Sequence, residues 1–204
     1  MSNLKILFLD IYKKEGFRIN KDVNGGFGTG NNYIGGFFTK LLAKYQKESI
    51  FWPPIYFAST MGVVEKLGNH CKYSTNLKDA HNGFDIFILS SSIVACETEL
   101  KAIKYLKNFD LPILVIGPFA STCPEKYIQQ GANVLIGEPD TSIMSNSEIL
   151  NQLTTKSKII YPSTKQVKLE DLPIPSWENI FKNKKCVMGF LGTGYSLPIY
   201  ASRG

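Results

Sequence analysis

The chain has 204 residues, 44% hydrophobic and 20% charged, a composition that can bury a core and that excludes a disordered or collagen-like chain. Its longest apolar runs, ILFL and PILVI, fall far short of the roughly 20 residues a membrane span needs, and Asp10 interrupts any signal-peptide core, so a cytoplasmic protein with no membrane partner is expected. The formal net charge is +6, but of 23 basic residues only Arg18 and Arg203 carry the planar fork preferred for phosphate and base recognition, and the lysines are scattered; no nucleic-acid partner is expected.

In chain order, residues 4–9 (LKILFL) read as a continuously apolar strand. Residues 33–47 have helical spacing at Phe37, Leu41 and Tyr45, and residues 55–68 read as a second helix, with Gly68 as its stop. Trp52, Pro53 and Pro54 are expected to pack the start of that helix. A short strand is predicted at 70–74 and a buried one at 84–90, behind the Asn82-Gly83 turn. Residues 97–108 form an amphipathic helix, apolar at Leu100, Ile103 and Leu106, with Glu97 and Glu99 in the first turn, where the helix dipole favours acids. A strand at 112–117, a helix from Pro124 stopped by Gly131, a strand at 133–136 and a helix at 140–153 complete the pattern.

Strands apolar on both faces and separated by helices indicate a parallel sheet covered on both sides. The fold class is therefore α/β, a flavodoxin-like doubly wound five-stranded domain over residues 1–153. Residues 154–204, rich in Pro and Gly, read as a connector with a short strand or two, and Trp177 is expected to pack it onto a neighbour.

In a doubly wound sheet, ligands bind beyond the carboxyl ends of the strands. That points to the loops Asp10–Gly16, Ser90–Cys96, Gly117–Cys123 and Gly137–Asp140. Ser90, Ser91 and Ser92 close the third strand, where small hydroxyl residues either let a flat ligand approach or form an ordinary turn. Gly117-Pro118 closes the fourth strand with the same two readings, and Glu138 follows Gly137 after the fifth as an exposed acid or a ligand contact. The stretch NGGFGTG, with Gly25 and Gly26, lacks the Lys-Ser/Thr of a Walker loop and is too far from the first strand for a dinucleotide fingerprint; it reads as a loop over the binding face or as a direct contact. No CxxC pair occurs among Cys71, Cys96, Cys123 and Cys186, and His70 and His81 read as surface residues, so neither a metal site nor a catalytic group is predicted.

Five stretches in this order resemble one family: PPIYFASTMGVVEKLGNH, FDIFILSSSIVACETEL, LPILVIGPFAST, GANVLIGEPD, and LEDLPIPSW followed by PIYASRG. Together they are similar to the N-terminal cobalamin-binding domain of the cobalamin-dependent radical S-adenosylmethionine enzymes. The resemblance implies cobalamin as cofactor, with Ser91 and Ile93 at the family's Ser-x-Leu positions near the nucleotide tail. The corrin is expected over residues 90–93 and 117–119, including Phe119, and the tail in a slot beside Ser90 and Gly117.

The family continues after Ser-Arg-Gly with a CxxxCxxC run that binds a 4Fe-4S cluster, and then with the domain that binds S-adenosylmethionine. This sequence stops at Gly204, so the resemblance implies a binding module whose partner is a missing radical S-adenosylmethionine domain. Such a module is not catalytic alone; the parent is expected to be a methyltransferase or related enzyme. Ile116 stands where the family often has a glycine. Other cobalamin domains carry Asp-x-His-x-x-Gly after the first strand, but here Tyr12 takes the histidine place and Gly16 comes one residue late. A neutral phenol is a poor cobalt ligand, so base-off cobalamin without a histidine ligand is expected. The alternatives are a flavodoxin-like binder of another nucleotide cofactor, or a non-catalytic interaction remnant.

Overall fold

The structure, a computed structural model, describes residues 3–11, 36–42, 54–162, 167–181 and 197. The first strand, β1 (Lys5–Leu9), is buried from its second residue onward. Its side chains alternate between two separate clusters, Ile6 and Phe8 on one face and Leu7 and Leu9 on the other. The same alternation runs through β3 (Ile86–Ser90) and β4 (Ile113–Ile116). With apolar residues on both faces, these strands are stable only if both faces are covered, which is the setting of a parallel sheet.

β2 (His70–Ser74), β5 (Asn133–Leu135) and β6 (Ile159–Ile160) complete a sheet of order β2-β1-β3-β4-β5-β6, parallel at every pairing. The fold is α/β and doubly wound, as expected, with a sixth strand beyond the five predicted. After β2 the chain crosses to the other side of β1, so the switch point lies between the ends of β1 and β3.

Helix α1 (Ile55–Lys66) lies on the Ile6–Phe8 face, where Phe57 meets Phe8 edge-on at 5.2 Å between ring centroids. Every residue from Ile55 to Val64 is buried, so α1 has no solvent face in this stretch. The cover comes from α5 (Pro139–Ser145) beside it and from the segment around α7 (Trp177–Phe181). The Ile174 carbonyl oxygen would sit 2.6 Å from a Cβ at Gly62, and Ser176 N donates to the Ala58 carbonyl at 2.8 Å. Asn179 also bonds to Glu65. The connector expected from residue 154 thus supplies β6 and a strap across α1, and Trp177 packs against the same core.

The opposite face carries a 3-10 helix at Leu77–Asn82, then α2 (Cys96–Leu106), α3 (Pro118–Thr122) and α4 (Glu125–Ile128). Two local differences from expectation stand out. Residues 118–122, read as loop, form α3, because Pro118 needs no amide partner at the first helical position. The helix expected at 140–153 is broken at Asn146, with α6 (Glu148–Asn151) resuming beyond it. The helix predicted at 33–47 is helical over 37–42, and its remainder lies outside the described residues, as do Tyr12, Gly25, Gly26, Trp52 and Pro53. Among the described residues no helix is long and apolar enough to cross a membrane.

Candidate functional site at the carboxyl edge of the sheet

The strand ends β1, β3, β4, β5 and β6 open onto one edge. Ser90, Ser91 and Ser92 follow one another there, all buried. Each of the last two is committed to the protein's interior. Ser91 N donates to the Ile116 carbonyl at 2.8 Å, and Ser91 Oγ accepts from Ala120 N at 2.9 Å, tying the end of β3 to α3. Ser92 N and Oγ both donate to the Glu99 carboxylate, at 3.2 and 3.1 Å, and Ser92 Oγ accepts from Ala95 N at 3.1 Å. What the edge exposes at β3 is therefore the turn beyond the serines, at Ile93 and Val94.

Gly117 ends β4 with φ +115°, a region that L side chains rarely adopt. A Cβ there would lie 2.8 Å from Ser91 Oγ, so on that side the missing side chain makes room for the neighbouring serine. Gly137 follows β5 with φ +82° and is held at both ends of its peptide. Its N donates to Ser121 Oγ and its carbonyl accepts from Tyr56 Oη, both at 3.0 Å. Ser121 Oγ also donates to the Gly117 carbonyl at 3.0 Å, so one hydroxyl joins the two glycine turns. Glu138 is exposed, and its carbonyl, not its carboxylate, receives Ser142 N and Oγ at the start of α5.

Three buried acids support this edge from below. Asp10, after β1, accepts from Tyr73 Oη at 3.0 Å. Asp140 in α5 accepts from Ser59 Oγ of α1 at 2.5 Å. Glu99 in α2 is 0% exposed and accepts from Tyr127 Oη at 2.7 Å in addition to Ser92. Burial beside Glu99 pushes the Tyr127 phenol far above its ordinary range, with desolvation the largest cause and the carboxylate's charge next. It is a donor at any pH the protein meets.

Above this polar layer the edge is apolar. Ile93 and Val94, in the turn after β3, are 76% and 46% exposed, and Tyr161 after β6 is 72% exposed. Pro118 is exposed after β4, and Phe119 is half-buried, its ring 6.3 Å edge-on from Tyr127. The ends of β3, β4 and β6 thus carry apolar side chains along one edge, with Gly137 and the exposed Glu138 between them at the end of β5, while Tyr12, Gly25 and Gly26 fall outside the described residues. Sequence reasoning placed Glu99 only as a first-turn acid beside Glu97 and did not single out Tyr127. Spacing could have found the acid, since Glu99 precedes the buried Ala102, Ile103 and Leu106 by three, four and seven residues on one helix face. Among the described residues, no group of three or more His, Cys, Asp or Glu side chains is arranged to hold a metal ion.

The strand order and the two helix layers define a doubly wound α/β protein of flavodoxin-like type. Beyond that class, no protein-family model, curated protein or solved structure matches the chain.

Proposed function

We propose that this edge binds a corrinoid, and that the chain is a cytoplasmic cobalamin-binding module acting with a separate radical S-adenosylmethionine domain. The observation that carries the reading is the rim itself. Exposed apolar side chains (Ile93, Val94, Pro118 and Tyr161) ring strand ends whose own side chains are absent or turned inward. From β3 to β6 is three strand spacings, roughly 14 Å, a width that fits a broad disc with an apolar periphery. Apolar side chains gathered at the ligand edge of a parallel sheet are more informative than apolar residues scattered over a surface. The five stretches that resemble the cobalamin-binding domain support the same assignment, and three of them meet at this edge, at residues 90–93, 117–119 and 137–138.

In this reading the small residues Ser90–Ser92, Gly117 and Gly137 form the floor under the ligand, while Ile93 and Phe119 supply apolar contact beside them. Bound cobalamin would supply methyl-carrying or radical-tuning chemistry. This chain's residues orient the ring and shield one face of it from water. Tyr12 and the glycines Gly25 and Gly26 belong to the same reading as contacts from the segment after β1.

The test is reconstitution of the full chain with hydroxocobalamin, desalting, and a visible spectrum. Stoichiometric retention is expected, and electron paramagnetic resonance of the Co(II) form should show no nitrogen splitting from a protein ligand. A colourless protein sinks the reading, and retention of flavin mononucleotide in its place would favour a nucleotide-cofactor binder.

A further inference from the structure

Glu97 and Glu99 both lie in the first turn of α2, yet their surroundings are opposite. Glu97 is exposed, as an acid serving only the helix dipole would be, whereas Glu99 is fully buried. Removing a carboxylate from water carries a large penalty, offset only when its oxygens are satisfied by donors held in place. Glu99 meets that condition by gripping one residue twice. Ser92 N donates to Oε2 at 3.2 Å and Ser92 Oγ to Oε1 at 3.1 Å, while Tyr127 Oη donates to Oε2 at 2.7 Å from α4. Ser92 Oγ then accepts from Ala95 N at 3.1 Å. The chain from Ser92 to Ala95 is closed into a short turn between two fixed ends. At its crest stand Ile93 and Val94, the two exposed aliphatic side chains of the rim.

We infer that Glu99 is a positioning residue, whose buried carboxylate locks the Ser92–Ala95 turn so that Ile93 and Val94 are held out as a preformed apolar contact for a flat, apolar-edged ligand. The identity of that ligand rests on the corrinoid reading above; the locking of the turn does not. A helix start needs only a serine-type cap, so a buried acid gripping both the amide and the hydroxyl of Ser92 goes beyond what α2 itself requires. Ordering the two aliphatic side chains before binding removes an entropic cost from the binding step.

Four variants separate positioning from general stability. Glu99→Ala releases both arms of Ser92. Ser92→Ala removes only the hydroxyl arm and leaves the carboxylate bonded to the Ser92 amide and Tyr127, so it still folds if Glu99→Ala does not. Tyr127→Phe removes a donor from the same carboxylate but leaves Ser92 held. Glu99→Gln keeps an acceptor for the Ser92 amide and for Tyr127, and presents its NH2 to Ser92 Oγ.

Amide exchange should speed up about tenfold or more at Ser92 in Glu99→Ala, where the amide loses its carboxylate acceptor, and at Ala95 in Ser92→Ala, where the amide loses the Ser92 hydroxyl. The same amides should stay near wild type in Tyr127→Phe and Glu99→Gln, and Val115 in β4 serves as the internal reference. Hydroxocobalamin affinity should fall in the first pair and stay within about threefold in the second. Unchanged exchange in both Glu99→Ala and Ser92→Ala overturns the locking. Equal losses of affinity in Tyr127→Phe and Ser92→Ala at matched melting temperature overturn positioning in favour of mere stability. A wild type that retains no corrinoid overturns the ligand half of the inference together with the proposed function, while the exchange rates still decide what Glu99 does to the turn.

Discussion

A methyl group on Gly117 would stand 2.8 Å from Ser91 Oγ, in a backbone with φ +115°. Both facts concern the protein's own interior, so Gly117→Ala should cost about 1–3 kcal/mol in urea denaturation even without ligand. Equal stability of the variant would show that the turn adapts freely. Tyr127 sets a second expectation. Its folded pKa is raised, so below its ordinary value near 10 the phenol is neutral in both states and its hydrogen bond contributes in full. Above pH 10 the unfolded chain loses this proton and the folded protein keeps it, so stability falls by about 1.4 kcal/mol per pH unit for this group. Comparing wild type with Tyr127→Phe between pH 9 and 11 isolates that slope, and parallel curves would refute it. At this scale the sequence was only partly readable. Ser90–Ser92 could be placed at a strand end because apolar runs mark strands, but nothing in the string SSS says that Ser91 turns to Ala120 and Ser92 to Glu99. Those partners are 29 and 7 residues away, and hydrogen bonds between distant residues leave no periodic trace.

The burial of α1 from Ile55 to Val64 is completed by the strap at residues 174–176, whose backbone crosses where Gly62 has no side chain. Gly62→Ala would press a methyl group against the Ile174 carbonyl, an immovable neighbour by comparison with a side-chain tip. A loss of about 1–3 kcal/mol is expected, as for other overpacked sites. Limited proteolysis should cut the strap sooner in the variant, and an unaltered cleavage pattern would count against the contact. The elements themselves were largely legible. β1, β3 and β4 announce themselves as short runs of branched apolar residues, and α2 by its apolar stripe. α3 did not, because PFAST is too short to show a period. The break at Asn146 was hidden because residues on both sides of it have helical character.

The sheet as a whole spans from β2 at one edge to β6 at the other, and β6 comes from the part of the sequence that reads as a connector. Two isoleucines in a stretch of lysines, serines and prolines carry little signal by themselves; pairing with Val134 and Leu135 makes them a strand. A chain ending at residue 153 lacks this edge strand and the strap over α1. Such a shortened chain should be less soluble and should unfold without a cooperative transition, with circular dichroism and gel filtration as the measurements. A soluble, cooperatively melting fragment would contradict this.

The distance in sequence between Gly62 and the strap has a consequence for biosynthesis. More than a hundred residues separate α1 from the backbone that covers its outer side. At ordinary elongation rates a ribosome takes roughly ten seconds to deliver that stretch. During this interval the nascent helix displays an oily flank with nothing to seal it, so the emerging polypeptide is a natural client for a chaperone until its latch has been synthesised.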